Sequence, residues 1–210
     1  MNLVEEAKIH MVALTAPSFN GDRTLSVGFA QKPDSATLMR GDVLLETRAH
    51  TAWGAAVTAQ MYLPIPRQSA WHQLIDYPQW VRYFPDVNNS YLLTEHLPKS
   101  DNSDKLTCKR LYQTASKSFL FLSAQVEIYL QVIEISQQQI QFQLESGSFH
   151  DFLAELTLQD FADGTLLTYF VQATPLIPVP SLFIQQAIHF DLPTNMRTMR
   201  QALCQPLKLD

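Results

Sequence analysis

The chain has 210 residues, enough for one domain plus an extension at roughly 150 residues per domain. Hydrophobic residues make up 46% and charged residues 17%, which excludes a disordered chain. Lys and Arg total 15 against 20 Asp and Glu, for a net charge of −5, so the basic footprint of a nucleic-acid-binding protein is missing. No apolar run reaches the ~18 residues that a membrane-spanning helix needs.

At the start of the chain, Glu5 and Glu6 stand where a secretory leader would carry Lys or Arg, and His10 interrupts the apolar run Ile9 to Leu14. The expectation is a cytoplasmic protein. Cys108 and Cys204 lie far apart with no framework spacing and read as structural thiols in a reducing compartment. Residues 1–42 mix polar and apolar positions without a sustained period, so they are expected to form an N-terminal arm, with one domain spanning 43–210.

From Val43 the pattern sharpens. Ala55, Val57, Ala59, Met61 and Leu63 alternate with more polar neighbours, the mark of a half-buried strand ended by Pro64 and Pro66. Pro66 opens a short helix in which Trp71, Leu74 and Ile75 share a face, and Pro78 opens a second carrying Trp80, Val81 and Phe84. A run of strand signals follows. Tyr91 and Leu93 mark the first, Ser100 to Asp104 form a polar turn, and Leu106 to Thr114 make the second. Val126, Ile128, Leu130 and Val132 then alternate with Gln125, Glu127, Tyr129 and Gln131. Ile140, Phe142 and Leu144 alternate with glutamines in the same way. Phe152, Ala154, Leu156 and Leu158 continue the series, and Asp163-Gly164 turns the chain into Leu166 to Val171. Short connections predict an antiparallel meander with one apolar face and one glutamine-rich wet face.

Near the C-terminus, Ile184, Ile188, Leu192, Met196, Met199 and Leu203 are spaced as one stripe of a helix about 24 residues long, with Pro193 inside it. A long stripe must be buried, and the apolar face of the sheet is the surface available. The expected class is therefore α+β, with about six to seven antiparallel strands curved around one long C-terminal helix.

This order, with several stretches, resembles the START-like (SRPBCC, helix-grip) superfamily, in particular its polyketide cyclase/dehydrase and coenzyme-Q-binding branch. The stretches are Leu63-Pro64-Ile65-Pro66 leading to Trp71 and Asp76-Tyr77-Pro78, then Tyr83-Phe84-Pro85-Asp86-Val87, Gly147 to Phe152, and Asp163-Gly164-Thr165-Leu166-Leu167-Thr168-Tyr169. Val179-Pro180 leading to Asp191-Leu192-Pro193-Thr194-Asn195 completes the set. The resemblance covers roughly residues 50–204. It implies binding of a hydrophobic small molecule, lipid or quinone between sheet and helix, with catalysis in only some members.

On that reading Val126, Ile128, Leu130, Phe142, Leu156 and Tyr169 line the sheet side of the site, and Ile188, Leu192, Met196 and Met199 line the helix side. Arg110 shares parity with Leu106, Cys108 and Tyr112, so Arg110 and Tyr112 are the polar groups expected to orient a ligand. The alternative is Arg110 pairing with Glu127 or Glu145 on the solvated face. Trp80, Tyr83 and Phe84 are expected at the mouth, as a gate or a transient membrane contact. Glu155 is a further lining candidate, and His150 beside Asp151 a candidate general base, although adjacent strand residues point to opposite faces.

Gly-x-Ser-x-Gly, His-Glu-x-x-His, phosphate-loop and dinucleotide motifs are all missing, and the six histidines show no metal-site spacing, so no metal and no cofactor are expected. Two rival readings stay open. One is a cyclase or dehydratase on a polyketide-like substrate, served by Arg110, Tyr112, Tyr169 or His150. The other is an interaction module acting on a ribosome or an enzyme.

Overall fold

The computed structural model describes residues 34–96, 106–119, 122–177 and 181–205. Most of the expected arm and the turn Ser100 to Asp104 lie outside them. The last part of the 1–42 segment is structured, because Asp34 caps a five-residue helix α1 (Ser35–Met39), its carboxylate accepting from the Ala36 N–H at 3.1 Å. Leu38 of α1 is fully buried against Tyr62 and Leu166.

Eight strands follow: β1 (Leu44–Thr51), β2 (Gly54–Leu63), β3 (Val87–His96), β4 (Leu106–Phe119), β5 (Leu122–Ile135), β6 (Gln139–Gly147), β7 (Phe149–Phe161) and β8 (Gly164–Pro175). They form one antiparallel sheet in the order β1-β2-β8-β7-β6-β5-β4-β3. The strand beyond the expected six or seven is β1. It lies at the sheet edge with Glu46, Arg48 and His50 on one face, so its apolar alternation is thin. Helical pieces complete the described chain. α2 (Arg67–Leu74) follows β2, a single 3-10 turn (Tyr77–Gln79) runs into α3 (Trp80–Tyr83), and α4 (Ser181–Cys204) ends the fold with Pro193 inside it.

The inner face is set by strand parity. Val57, Ala59, Met61 and Leu63 of β2 join Ile128, Leu130 and Val132 of β5 in one cluster. Ile140 and Phe142 of β6, Leu156 and Leu158 of β7 and Leu167 of β8 belong to it too. Leu192, Met196, Met199 and Leu203 of α4 pack onto the same cluster, as the helical stripe predicts. Each Val, Leu, Ile, Phe or Met among them contributes about 1.5–3 kcal/mol when fully buried.

Polar ties fix the C-terminal half of α4. Gln73 Nε2 of α2 donates to the Leu203 carbonyl at 2.9 Å, and Arg200 Nε donates to the Tyr62 carbonyl at 2.9 Å. On the outer face, the Tyr62 hydroxyl donates to Asp163 in the β7–β8 turn. That turn is Ala162-Asp163, one position before the expected Asp163-Gly164, and Ala162 takes φ 51°. Gly164 is instead needed beside it, since a Cβ there would lie 2.2 Å from the Leu63 carbonyl.

The sheet is strongly bent at the end where β1 turns into β2. His50 of β1 reaches Asp151 of β7 at 3.0 Å although β2 and β8 lie between them in strand order. Thr51 Oγ1 also meets Thr174 Oγ1 of β8 at 3.2 Å. Asp151 thus pairs with His50, and its sequence neighbour His150 is exposed.

Candidate functional site

The concave face of the sheet and the helix laid on it form the candidate site. Of the expected lining, Ile128, Leu130, Phe142, Leu156, Tyr169, Leu192, Met196 and Met199 are brought together in one buried cluster, and Ile188 packs at its edge. Val126 shares the inward parity and is half-buried. Burial is uneven along α4. The stripe is closed from Leu192 onward, whereas Ile184 and Ile188 are only half-buried.

Beside that N-terminal half runs an open groove of about 540 Å³ lined by Thr47, Leu182, Gln185, Gln186, His189 and Phe190. At this end of the fold Phe190 is 77% exposed, Ile177 64% and Leu182 61%. From Gly164 to Phe190 the sequence holds no Asp, Glu, Lys or Arg. Leu144 of β6, Phe149 and Phe152 of β7 and Val171 of β8 are likewise half-buried against the core.

Arg110 and Tyr112 require a correction. Cross-strand pairing places Arg110 opposite Gln131 and Tyr112 opposite Tyr129, so both face outward with the wet face of β5. Arg110 makes a bidentate ion pair with Glu145, Nε at 2.9 Å from both oxygens and Nη2 at 2.7 Å from Oε2. Tyr112 donates to Glu127 Oε2 at 3.1 Å and lies between Tyr91 and Tyr129 in two tilted ring contacts, with centroids 5.1 and 4.7 Å away. The inward residue of β4 is Leu111, paired with Leu130. Replacing Arg110 with leucine should therefore leave the uptake of any apolar ligand unchanged, as read by dye titration of the variant beside the parent protein.

Trp80 and Tyr83 need correction too. Both are buried, with Trp80 Nε1 donating to the Leu74 carbonyl at 2.9 Å and the Tyr83 hydroxyl to the Gln73 carbonyl at 3.1 Å. Burial pushes the Tyr83 phenol up to about 12. These rings pack α3 against the core and do not form an exposed gate. Only Phe84 is half-exposed, packed 6.0 Å from the Tyr169 ring. Tyr169 faces inward, and burial holds its phenol far above the ordinary range, so it remains protonated. Glu155 lies on the outer face, where it accepts from Thr157 Oγ1 at 3.1 Å. With Arg110 and Tyr112 turned outward and His150 exposed, the cyclase reading keeps one of its four candidates, Tyr169.

The polar group that does point inward is one that apolar alternation conceals. Glu134 of β5 and Lys109 of β4 meet on the inner face, Lys109 Nζ lying 3.0 Å from Glu134 Oε1, with side chains 12% exposed for Lys109 and 7% for Glu134. The Tyr77 hydroxyl donates to the same Oε1 at 2.5 Å, and the Lys109 ammonium sits 5.5 Å from the Tyr77 ring centroid. Burial, then the Glu134 carboxylate, holds the Tyr77 phenol far above its ordinary range, so it stays a donor. Ser90 Oγ donates to the Tyr77 carbonyl at 2.6 Å and accepts from Gln113 Nε2 at 3.0 Å, which fixes the 3-10 turn over the sheet. A signal for this group exists in β5. Glu134 continues the inward parity of Ile128, Leu130 and Val132, and a carboxylate on an apolar face calls for a cation on the neighbouring strand.

An antiparallel sheet curled about one long C-terminal helix, with short helices between its second and third strands, is the START-like helix-grip fold, and the chain has that fold. The STAR-related lipid transfer protein of Xanthomonas axonopodis is similar in structure, with a TM-score of 0.58 at 17% identity over 78% of this chain and 94% of its own. Human STARD10 gives 0.54 at 12% identity, over 82% of this chain and 80% of its own. The ZhuI aromatase/cyclase of a Streptomyces species gives 0.52 at 10% identity, over 71% and 93%. No family model and no curated protein sequence matches the chain. Among the described residues, no helix is long and apolar enough to cross a membrane.

Proposed function

We propose that the protein binds a hydrophobic small molecule or lipid between the concave face of the sheet and the N-terminal half of α4. The observation that supports this most directly is the gradient of burial along one apolar helix stripe. Met196, Met199 and Leu203 are sealed onto the sheet, whereas Ile184 and Ile188 belong to the same stripe and are left half-covered beside an open groove. An apolar guest there gains about 25 cal/mol for each Å² of apolar surface it removes from water. The similarity in fold to a protein named for lipid transfer and to one named an aromatase/cyclase agrees with an apolar guest of either kind.

The test is titration with N-phenylnaphthylamine, a neutral apolar dye that brightens out of water. Saturable uptake of one dye per chain is expected. Emission that stays at the level of dye in buffer overturns the reading.

Exchange of such a guest with a membrane surface belongs to the same proposal, with Phe190, Leu182 and Ile177 in the role that the sequence alone gives to Trp80, Tyr83 and Phe84. Replacing Ile177, which is exposed and does not line the groove, by serine should slow dye transfer from the protein to phosphatidylcholine vesicles severalfold while equilibrium affinity in solution is kept. Equal transfer rates would remove the membrane role.

A further inference from the structure

β2 is buried on both faces along its whole length. Inward, Val57, Ala59, Met61 and Leu63 join the core under α4. Outward, Thr58 is 1% exposed, Gln60 7%, and Phe170, which pairs with Thr58 from β8, 8%. On the same outer face of β5 and β6, Tyr129, Gln131, Gln141 and Gln143 are only half-buried. α1 closes one end of the buried strip, where Leu38 packs on Tyr62 and Leu166. With five residues α1 is about 7.5 Å long. Phe170 stands four residues beyond Leu166, about 13 Å along β8, and belongs to neither apolar cluster of the described residues. Gln60 Nε2 donates to Thr168 Oγ1 at 3.1 Å, but its Oε1 is buried and accepts from no described residue.

We infer that residues 24–33 run extended over this strip and cover it, with Leu25, Val27 and Phe29 laid on Thr58, Gln60 and Phe170. Position, reach and pattern choose this occupant. The described chain begins at Asp34, and α1 directly after it is already seated on the end of the strip. Phe29 is five residues before Asp34, a reach of up to about 17 Å, against about 13 Å from Leu166 to Phe170. Leu25, Val27 and Phe29 alternate with Thr24, Ser26 and Gly28, so an extended segment turns all three to one side. Its backbone also brings N–H groups to Gln60 Oε1. So short a tether gives the segment an effective concentration that a free partner lacks. The strip backs the groove, since Thr47 of the groove lining pairs with Val57, next to Thr58. The segment therefore braces that wall from outside, whether or not a ligand is bound.

The test is hydroxyl-radical footprinting of the full chain, with oxidation at Phe170 read by mass spectrometry. The parent is compared with a variant carrying Leu25→Ser, Val27→Ser and Phe29→Ser. Phe170 should be protected in the parent and oxidised severalfold faster in the variant, while Phe142 of the inner face stays protected in both. Equal protection of Phe170 in both at every protein concentration would mean that the sheet's own side chains close the strip, and overturns the assignment. Equal protection that fades on dilution overturns it too and gives the face to a second copy of the chain. Phe170 reactive in the parent would show a strip with no cover. Loss of Phe142 protection in the variant would place the three side chains in the inner core, and the assignment would fall.

Discussion

Replacing Lys109 alone with methionine is expected to lower the unfolding free energy by about 3 kcal/mol, the scale for stranding one partner of a buried ion pair. The cause is electrostatic. Methionine fills a similar volume, so packing changes little, but the Glu134 carboxylate is then left 7% exposed with the Tyr77 hydroxyl as its remaining partner in the group. Adding Glu134→Gln should recover most of the loss, because a neutral amide still accepts from Tyr77 and no charge is stranded. Urea unfolding of the parent, the single and the double variant checks this. A single variant as stable as the parent would mean that water reaches Glu134 and that the pair is not desolvated.

The second large effect is expected at Gly147, where β6 ends. Its φ is +136°, a region that side chains avoid, and a Cβ there would lie 2.3 Å from the Glu127 carbonyl and 2.8 Å from Ile128 Cα. Both obstacles are backbone, so nothing can rotate away. Gly147→Val should cost about 3 kcal/mol by this mechanism. The change also bears on the site. Gly147 pairs with Ile128 and sits next to the irregularity between Tyr129 and Leu130, while the Ser148 N–H donates to the Glu127 carbonyl at 2.9 Å. Pushing β5 away there would displace Ile128 and Leu130 from the inner face. Weaker dye uptake should accompany the loss of stability, and a variant with parental stability and uptake would show that the strand pair absorbs a side chain at this point.

The fold is legible in the sequence where one period dominates a long segment. The 24-residue stripe of α4 and the alternation in β2, β5, β6 and β7 each have enough apolar positions to declare a face. β4 does not. Leu106, Cys108 and Tyr112 on one parity outnumber Leu111 on the other, and counting apolar residues turns the strand over. Its register decides the matter. Leu111 pairs with Leu130, so the alternation of β5 dictates that of β4 and sends Arg110 outward to Glu145. The same step hides the inward polar group, because Lys109 goes to water once Arg110 is assigned to the core. Trp80 misleads for a different reason. A tryptophan on a one-turn helix gives no sign of its neighbours, and here its N–H is met by the Leu74 carbonyl only six residues back.

The most direct measurement of the central claim is native mass spectrometry of the protein purified from its own cells, repeated after solvent extraction. The account predicts one reproducible apolar adduct per chain that leaves on extraction and is replaced by added dye. A bare-chain mass before extraction, together with no uptake of dye afterwards, would contradict it.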